Sequence, residues 1–442
     1  MEPESKGDEL ERESRQAGPL GRVAVYLKSL GPGLVTGAAD DDPSGIGTYS
    51  QTGAQFGYAQ LWTSVLCLPL IIAIQEICAR IALETGRSLA QNMRLHYPRW
   101  LLYSCVGLLA IANIVNIGAD LGAMAASARM LLPLPHLLWL LAITAVVVLL
   151  QVLVAYHAYA RFLRYATLSL FAYILVAFWA KLDWQLALRS TVIPLLRSDA
   201  DYLMNIVAIL GTTVTPYCFF WQANQEVDEQ IDEGLRSPKS RSGVSGGDLK
   251  WMRSDVVSGM LVSQVVCWFI IATTAATLHA HGISNVDSAP KAAEALRPLA
   301  GNLAYVLFAG GIIGTGLLAV PILAGSAGYA ISESFHYRAG LALDWRHARV
   351  FYGVIAVSTV IGMALNFIGI NPMKALYYSA VLNGVIAPPL MVIIMLISGD
   401  GRIMRDRTNK AWSKAVGWAA TGIMSVAAIA LVVQLLMRHG GQ

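Results

Sequence analysis

From Ala415 to Met437 the chain carries no charged residue, and none lies between Arg297 and Glu333. Each stretch is longer than the roughly 20 residues that carry a helix across a bilayer core. Comparable stretches recur along most of the chain beyond Leu30. In lipid, every backbone amide and carbonyl has to find its partner inside the protein, so such stretches become helices. Composition agrees: 56 % of the 442 residues are hydrophobic, 14 % are charged and the mean hydropathy is +0.55. A soluble chain would carry about a quarter charged residues. The chain is therefore expected to be an all-α polytopic membrane protein.

Hydropathy places about eleven spans, near residues 30–56, 58–84, 101–131, 136–156, 162–182, 203–227, 254–280, 300–332, 348–370, 374–398 and 411–437. Residues 1–28, polar and poor in aromatics, read as a disordered cytoplasmic tail, with no removable signal peptide. A first group of five spans covers 29–182, an external loop 183–202, and a second group of five spans 203–398. A Ser- and Gly-rich cytoplasmic linker at 228–253 lies inside the second group, and the last span and C-terminus occupy 399–442.

Basic residues gather on alternate loops. One set holds Arg12, Arg15, Arg22 and Lys28, then Arg87, Arg94 and Arg99, then Lys239, Arg241, Lys250 and Arg253, then Arg402, Arg405, Arg407 and Lys410. The opposite set holds only scattered ones, among them Lys181, Arg189, Lys291, Lys374 and Arg438. This bias predicts a cytoplasmic N-terminus and, with an odd number of spans, an external C-terminus. The slight positive charge belongs to those loops and gives no sign of nucleic-acid binding. Five singly spaced cysteines, Cys67, Cys78, Cys105, Cys218 and Cys267, form neither a disulfide framework nor a thiolate cluster.

Two spans are interrupted. The first contains AADDDPSGIG, with Asp40, Asp41 and Asp42 before Pro43; the sixth contains GTTVTPYC, with Thr215 before Pro216. Proline removes an amide donor and disfavours helix at the preceding residue. Unwound backbone survives at membrane depth only where it lines a cavity or meets an ion. Interrupted segments at corresponding places in two halves point to a transporter's substrate site. Ordinary kinks explain the prolines but not three acids, each costing about 2.5–3.5 kcal/mol at the bilayer centre. The acids are expected to meet a cation, although an aspartate before a helix restart also caps free amides.

At these residues the sequence resembles the Nramp family (natural resistance-associated macrophage proteins), divalent-metal transporters with a LeuT-like fold of two inverted five-helix repeats. The stretch DPSGIGTYSQTGAQFGY from Asp42 is similar to the family's D-P-G-N and Q-x-G-A-Q-F-G-Y run, and GTTVTPY to its G-A-T-V-M-P-H motif. The run IGADLGAMAA resembles the segment around a proton-pathway aspartate, matched by Asp120. The resemblance implies that Asp42 and the Ala39 carbonyl hold metal, with Thr212 at the place of a second carbonyl ligand. Gly45 stands where the family has its metal-binding asparagine, Thr215 where it has methionine, and Tyr217 where it has histidine.

These departures remove the soft thioether and one amide oxygen. Hydroxyl, carbonyl, carboxylate and water ligands favour hard cations, and Mg²⁺ keeps several of its waters. A roomy, acidic, sulfur-free pocket is thus expected, suited to Mg²⁺ or Mn²⁺, as in the Nramp-related magnesium transporters. Asp41 is placed at the site, and Asp40 in a hydrated vestibule with Asp120, Tyr217, Gln222 and Asn383 along the pathway. Asn113, Ala123, Tyr217 and Gln222 leave the family's proton row nearly empty, so potential-driven uptake without proton coupling is expected. An organic-solute symporter of the same fold is the alternative. No enzymatic nucleophile–base pair is evident, and no cofactor is expected beyond the transported cation. The location implied is a bacterial inner membrane.

Overall fold

The computed structural model describes residues 5–153, 171–197, 199–235, 237–341 and 343–440. Among them every regular element is helical. In chain order the main ones are α1 (Lys6–Gln16), α2 (Pro19–Ser29), α3 (Pro32–Asp40), α4 (Pro43–Phe56) and α5 (Trp62–Thr85). Then come α6 (Leu89–His96), α7 (Arg99–Leu131), α8 (His136–Leu153), α9 (Phe171–Trp179), α10 (Trp184–Val192), α11 (Ala200–Thr213) and α12 (Pro216–Asp232). The chain closes with α13 (Gly246–Thr277), α14 (Ala304–Ser334), α15 (Arg349–Leu365), α16 (Pro372–Gly399) and α17 (Ala411–Gly440).

Nine helical stretches among the described residues are long and apolar enough to cross a membrane. The pair α3–α4 stands where the first span is expected, and α9 falls in the last part of the expected fifth span. Residues 154–170, and with them His157, Arg161, Arg164 and part of the expected fourth and fifth spans, lie outside the described residues. Both expected interruptions are present. α3 stops at Asp40 and α4 restarts after Asp42; α11 stops at Thr213 and α12 restarts after Thr215. Each restart has its proline in the first turn, where the missing amide breaks no intrahelical bond.

Three boundaries differ from the sequence reading. The expected linker 228–253 is mostly helix, because α12 runs on to Asp232 and α13 starts at Gly246 behind a capping box of Ser245 and Asp248. The loop 183–202 holds α10, whose first turn is capped by Asp183. Residues 5–28 are not a disordered tail. Ser5 caps α1, a methyl on Gly7 would stand 2.3 Å from the Asp248 amide, and Lys6 pairs with Glu229 at 2.5 Å and Glu233 at 3.2 Å. Hydrophobicity could not reveal this docking, since glycine contact and ion pairs hold it.

α3 is seated on α13 through glycines. A methyl on Gly37 would come within 2.3 Å of the Gly259 backbone, and one on Gly33 within 2.6 Å of the Val256 amide. Small residues let backbones meet in a medium where apolar burial supplies no drive between helices. Asp255 of α13 then accepts the Gly31, Gly33 and Leu34 amides at 2.9, 2.6 and 3.1 Å, satisfying donors that open every helix. The glycines of α14 serve likewise: Gly316 faces Met124, Gly325 the Trp221 ring and Gly328 Phe351.

Gly37→Ala is expected to lower the thermal midpoint of the purified protein more than Gly47→Ala, whose methyl would meet side-chain atoms of Leu376 at 3.0 and 3.2 Å rather than backbone at 2.3 Å. Equal melting shifts for the two variants would refute the glycine seat.

Candidate functional site

The two interruptions face one another. Asp42 is both a cap and an acid: its Oδ1 accepts the Gly45 amide at 2.7 Å and the Ser44 hydroxyl at 2.6 Å. Its Oδ2 accepts Asn116 Nδ2 of α7 at 2.9 Å, and the same amide reaches Asp120 Oδ2 at 3.4 Å. Asp40 turns to the second interruption, where Thr215 Oγ1 donates to its Oδ1 at 3.2 Å. Ser263 of α13 bridges the acids, 3.1 Å from Asp40 Oδ2 and 3.3 Å from Asp41 Oδ1. Tyr217 donates its hydroxyl to the Ala39 carbonyl at 2.8 Å, and Ser44 meets the Thr212 hydroxyl at 3.4 Å.

All of this is out of contact with solvent. Asp40, Asp41, Asp42 and Asp120 are 1, 3, 1 and 0 % exposed. Asp40, expected in a hydrated vestibule, here lies buried between the breaks, because it closes α3 against Ser263 of α13. Asp42 touches the second break only through Ser44 and Thr212. Gly45 opens no free space either, since a methyl there would meet the Asp40 carbonyl oxygen at 3.3 Å and Thr212 Oγ1 at 3.4 Å. Nor is the pocket sulfur-free. The Cys218 thiol, two residues past Pro216, donates to Asp40 Oδ1 at 3.9 Å.

The remaining expected residues divide. Asp120 joins the site through Asn116 rather than turning to Arg129. Gln222 lies below it, accepting Thr36 Oγ1 at 2.7 Å and donating to Glu226 at 2.8 Å, which extends a polar ladder between α3 and α12. Asn383 is 1 % exposed, with its Nδ2 unpartnered by protein. Glu76 belongs to a separate cluster with Arg80 at 3.2 Å and Arg253 at 2.9 Å. Sequence reasoning missed Ser263 and Asn116. The signal for Asn116 was its position one turn before Asp120 on the same helix face; Ser263 stood in an apolar run with nothing to mark it.

Among the described residues no three His, Cys, Asp or Glu side chains cluster as a metal site on their own. Any cation held here would draw on the mixture of carboxylate, hydroxyl and backbone carbonyl oxygen that the breaks bring together. A cavity of about 330 Å³, lined by Gly47, Gln51, Asp201, Met204 and Tyr377, opens at the end where α4 finishes and stops within a turn of Gly45. The other end is covered by α1, α2 and the Asp255 cap.

An all-helical chain whose two interrupted spans meet at buried acids falls in the class of LeuT-like folds. Within that class, the family description "Natural resistance-associated macrophage protein-like" matches residues 33–434, and the chain belongs to the Nramp family. It is 25 % identical over 410 residues to the divalent metal cation transporter MntH of Klebsiella pneumoniae, covering 90 % of this chain and 92 % of that one. It is 28 % identical over 437 residues to MntH 1 of Pseudomonas aeruginosa, covering 94 % and 93 %. Its fold matches a manganese transporter of Eremococcus coleocola with TM-score 0.73, at 19 % identity over 95 % of this chain and 89 % of that one. The nucleobase-cation-symport-1 transporter Mhp1 shares the fold with TM-score 0.57, at 14 % identity over 92 % and 90 %.

Asn116→Leu leaves two buried carboxylates without their shared donor, a loss of about 1–3 kcal/mol. The variant is expected to melt measurably lower than wild type in detergent; an unchanged midpoint would show that Asn116 carries no part of the site.

Proposed function

We propose that the protein moves a divalent cation, Mg²⁺ or Mn²⁺, into the cytoplasm across a bacterial inner membrane by alternating access. The observation that carries this reading is the meeting of both broken spans around three fully buried aspartates. Desolvated carboxylates gathered in this way favour a compact cation, and they would repel the anionic group of an organic substrate. The names of the relatives agree: two are divalent metal cation transporters and one fold neighbour is a manganese transporter.

The ligands assigned are the Asp42 and Asp40 carboxylates, the Ala39 and Thr212 carbonyls and the Thr215 hydroxyl, with Asp41 acting through Ser263 or the metal's outer waters. Tyr217 has to release the Ala39 carbonyl as the ion enters. Thr215 sets oxygen where the family has methionine sulfur, and the Cys218 thiol faces Asp40 as a hydrogen-bond donor at 3.9 Å, so harder ions gain. The basic loops orient the N-terminus to the cytoplasm. An inside-negative potential then drives a doubly charged ion inward by about 4.6 kcal/mol per 100 mV, which needs no proton and no resident cofactor.

Flux into proteoliposomes with an internal pH dye tests this. Mg²⁺ and Mn²⁺ are expected to enter with little acidification, and Asp42→Ala to reduce entry to the level of empty vesicles. Robust Cd²⁺ uptake with none of Mg²⁺ would overturn the hard-ion assignment. Thr215→Met should raise Cd²⁺ entry relative to Mg²⁺, and an unchanged ratio would remove Thr215 from the selectivity site.

A further inference from the structure

α2 carries an apolar stripe that none of the described residues covers. Leu20, Val23 and Leu27 are 87, 55 and 61 % exposed. Their spacing puts them on one helix face, with Ala24 between them. The opposite face is the one turned to the protein: Val25 is buried, and Tyr26 and Ser258 of α13 are hydrogen-bonded through their hydroxyls.

The level of that bond identifies what lies against the stripe. Arg253 and Asp255 are the last charges on α13 before its apolar stretch begins at Val256. Just beyond Ser258, Val257, Leu261 and Val262 are exposed on the lipid-facing side of the same helix. α2 thus lies where charged surface gives way to lipid-facing surface, and its stripe continues that surface. Its own charges are Arg22 and Lys28, with no acid in the helix; Lys28 stands 3.6 Å from Glu13 of α1, and the exposed Arg22 has the sign that suits anionic headgroups. The helix ends two residues before α3 enters the bundle.

We infer that α2 is an interfacial helix docked in the plane of the bilayer, with Leu20, Val23 and Leu27 in the boundary between headgroups and acyl chains. It is an amphipathic helix lying on the membrane, not across it. It holds the polypeptide entering α3 at the membrane surface while α1 rests on α12 and α13.

Full-length protein with single nitroxide-labelled cysteines at positions 20, 23, 27 and 22, in vesicles of phosphatidylethanolamine and phosphatidylglycerol, reads this directly. The five native cysteines are buried, and labelled wild type serves as the blank. The ratio of collision with oxygen to collision with a water-soluble nickel chelate is expected to be several-fold higher at 20, 23 and 27 than at 22. Equal ratios at all four positions would overturn the assignment. So would spin–spin broadening at position 23, which would make the stripe an interface between two copies. The triple change Leu20→Glu, Val23→Glu, Leu27→Glu should speed tryptic cleavage at Arg22 and Lys28 in the same vesicles, and unaltered cleavage would count against docking.

Discussion

A helix that stops in the middle of an apolar bundle has to be held by something other than its own continuation. For α3 that support is α13. Gly33 and Gly37 allow backbone to lie on backbone at Gly259, and Asp255 closes the free amides at the start of α3. Because this contact fixes α3 without α4, the chain between Asp40 and Asp42 is free to leave the helical path. The three acids, the exposed carbonyls and the meeting with α12 all follow from that freedom.

The second consequence is chemical. Interruption creates orphan donors and acceptors, and nearby side chains answer several of them. Asp42 takes the Gly45 amide, Tyr217 takes the Ala39 carbonyl, and Ser326 of α14 takes the Tyr217 carbonyl at 3.1 Å. Buried polar groups are stable only when so paired. Yet the donors that serve the aspartates are neutral: Thr215, Ser263, Ser44, Asn116 and the Cys218 thiol bring hydrogen bonds and no positive charge. An anionic pocket lined by neutral donors is complete as a fold and incomplete as an electrostatic environment, and this is the property a cation carrier requires.

What the sequence showed and what it hid divide along physical lines. Both breaks were legible because proline and acid violate the rules of a membrane helix at one place, and Asp42, Thr212, Thr215 and Tyr217 lie beside those violations. Asp120 was legible as an isolated acid. Ser263 and Asn116 were not, because a single small polar residue is unremarkable in a membrane helix and only the fold brings it to the acids. The role of Asp40 was misjudged for a related reason: neighbours in sequence around a break point to different helices, Asp40 to α12 and α13, Asp42 to α7. Gly45 and Cys218 misled for want of a third dimension. The space freed by a missing side chain depends on how far the breaks close over it, and a thiol two residues past a proline turns inward with that turn.

The end of the bundle covered by α1 is closed by interactions of different strength. There the pairs of Lys6 with Glu229 and of Lys250 with Glu11 are exposed, and such pairs contribute about 0–1 kcal/mol each. Behind them Asp255 makes three bonds in a nearly dry setting, where charge-assisted hydrogen bonds are roughly twice as strong as neutral ones. A swing of α3 that opened this end would break the weak outer pairs readily. It would have to exchange the Asp255 bonds for bonds to water at the amides of Gly31, Gly33 and Leu34. Those amides lie at the start of the helix, where entering water can satisfy them, whereas the backbone contacts of Gly33 with Val256 and of Gly37 with Gly259 have nothing to replace them. A swing of α3 would therefore have to turn about those two contacts rather than leave them.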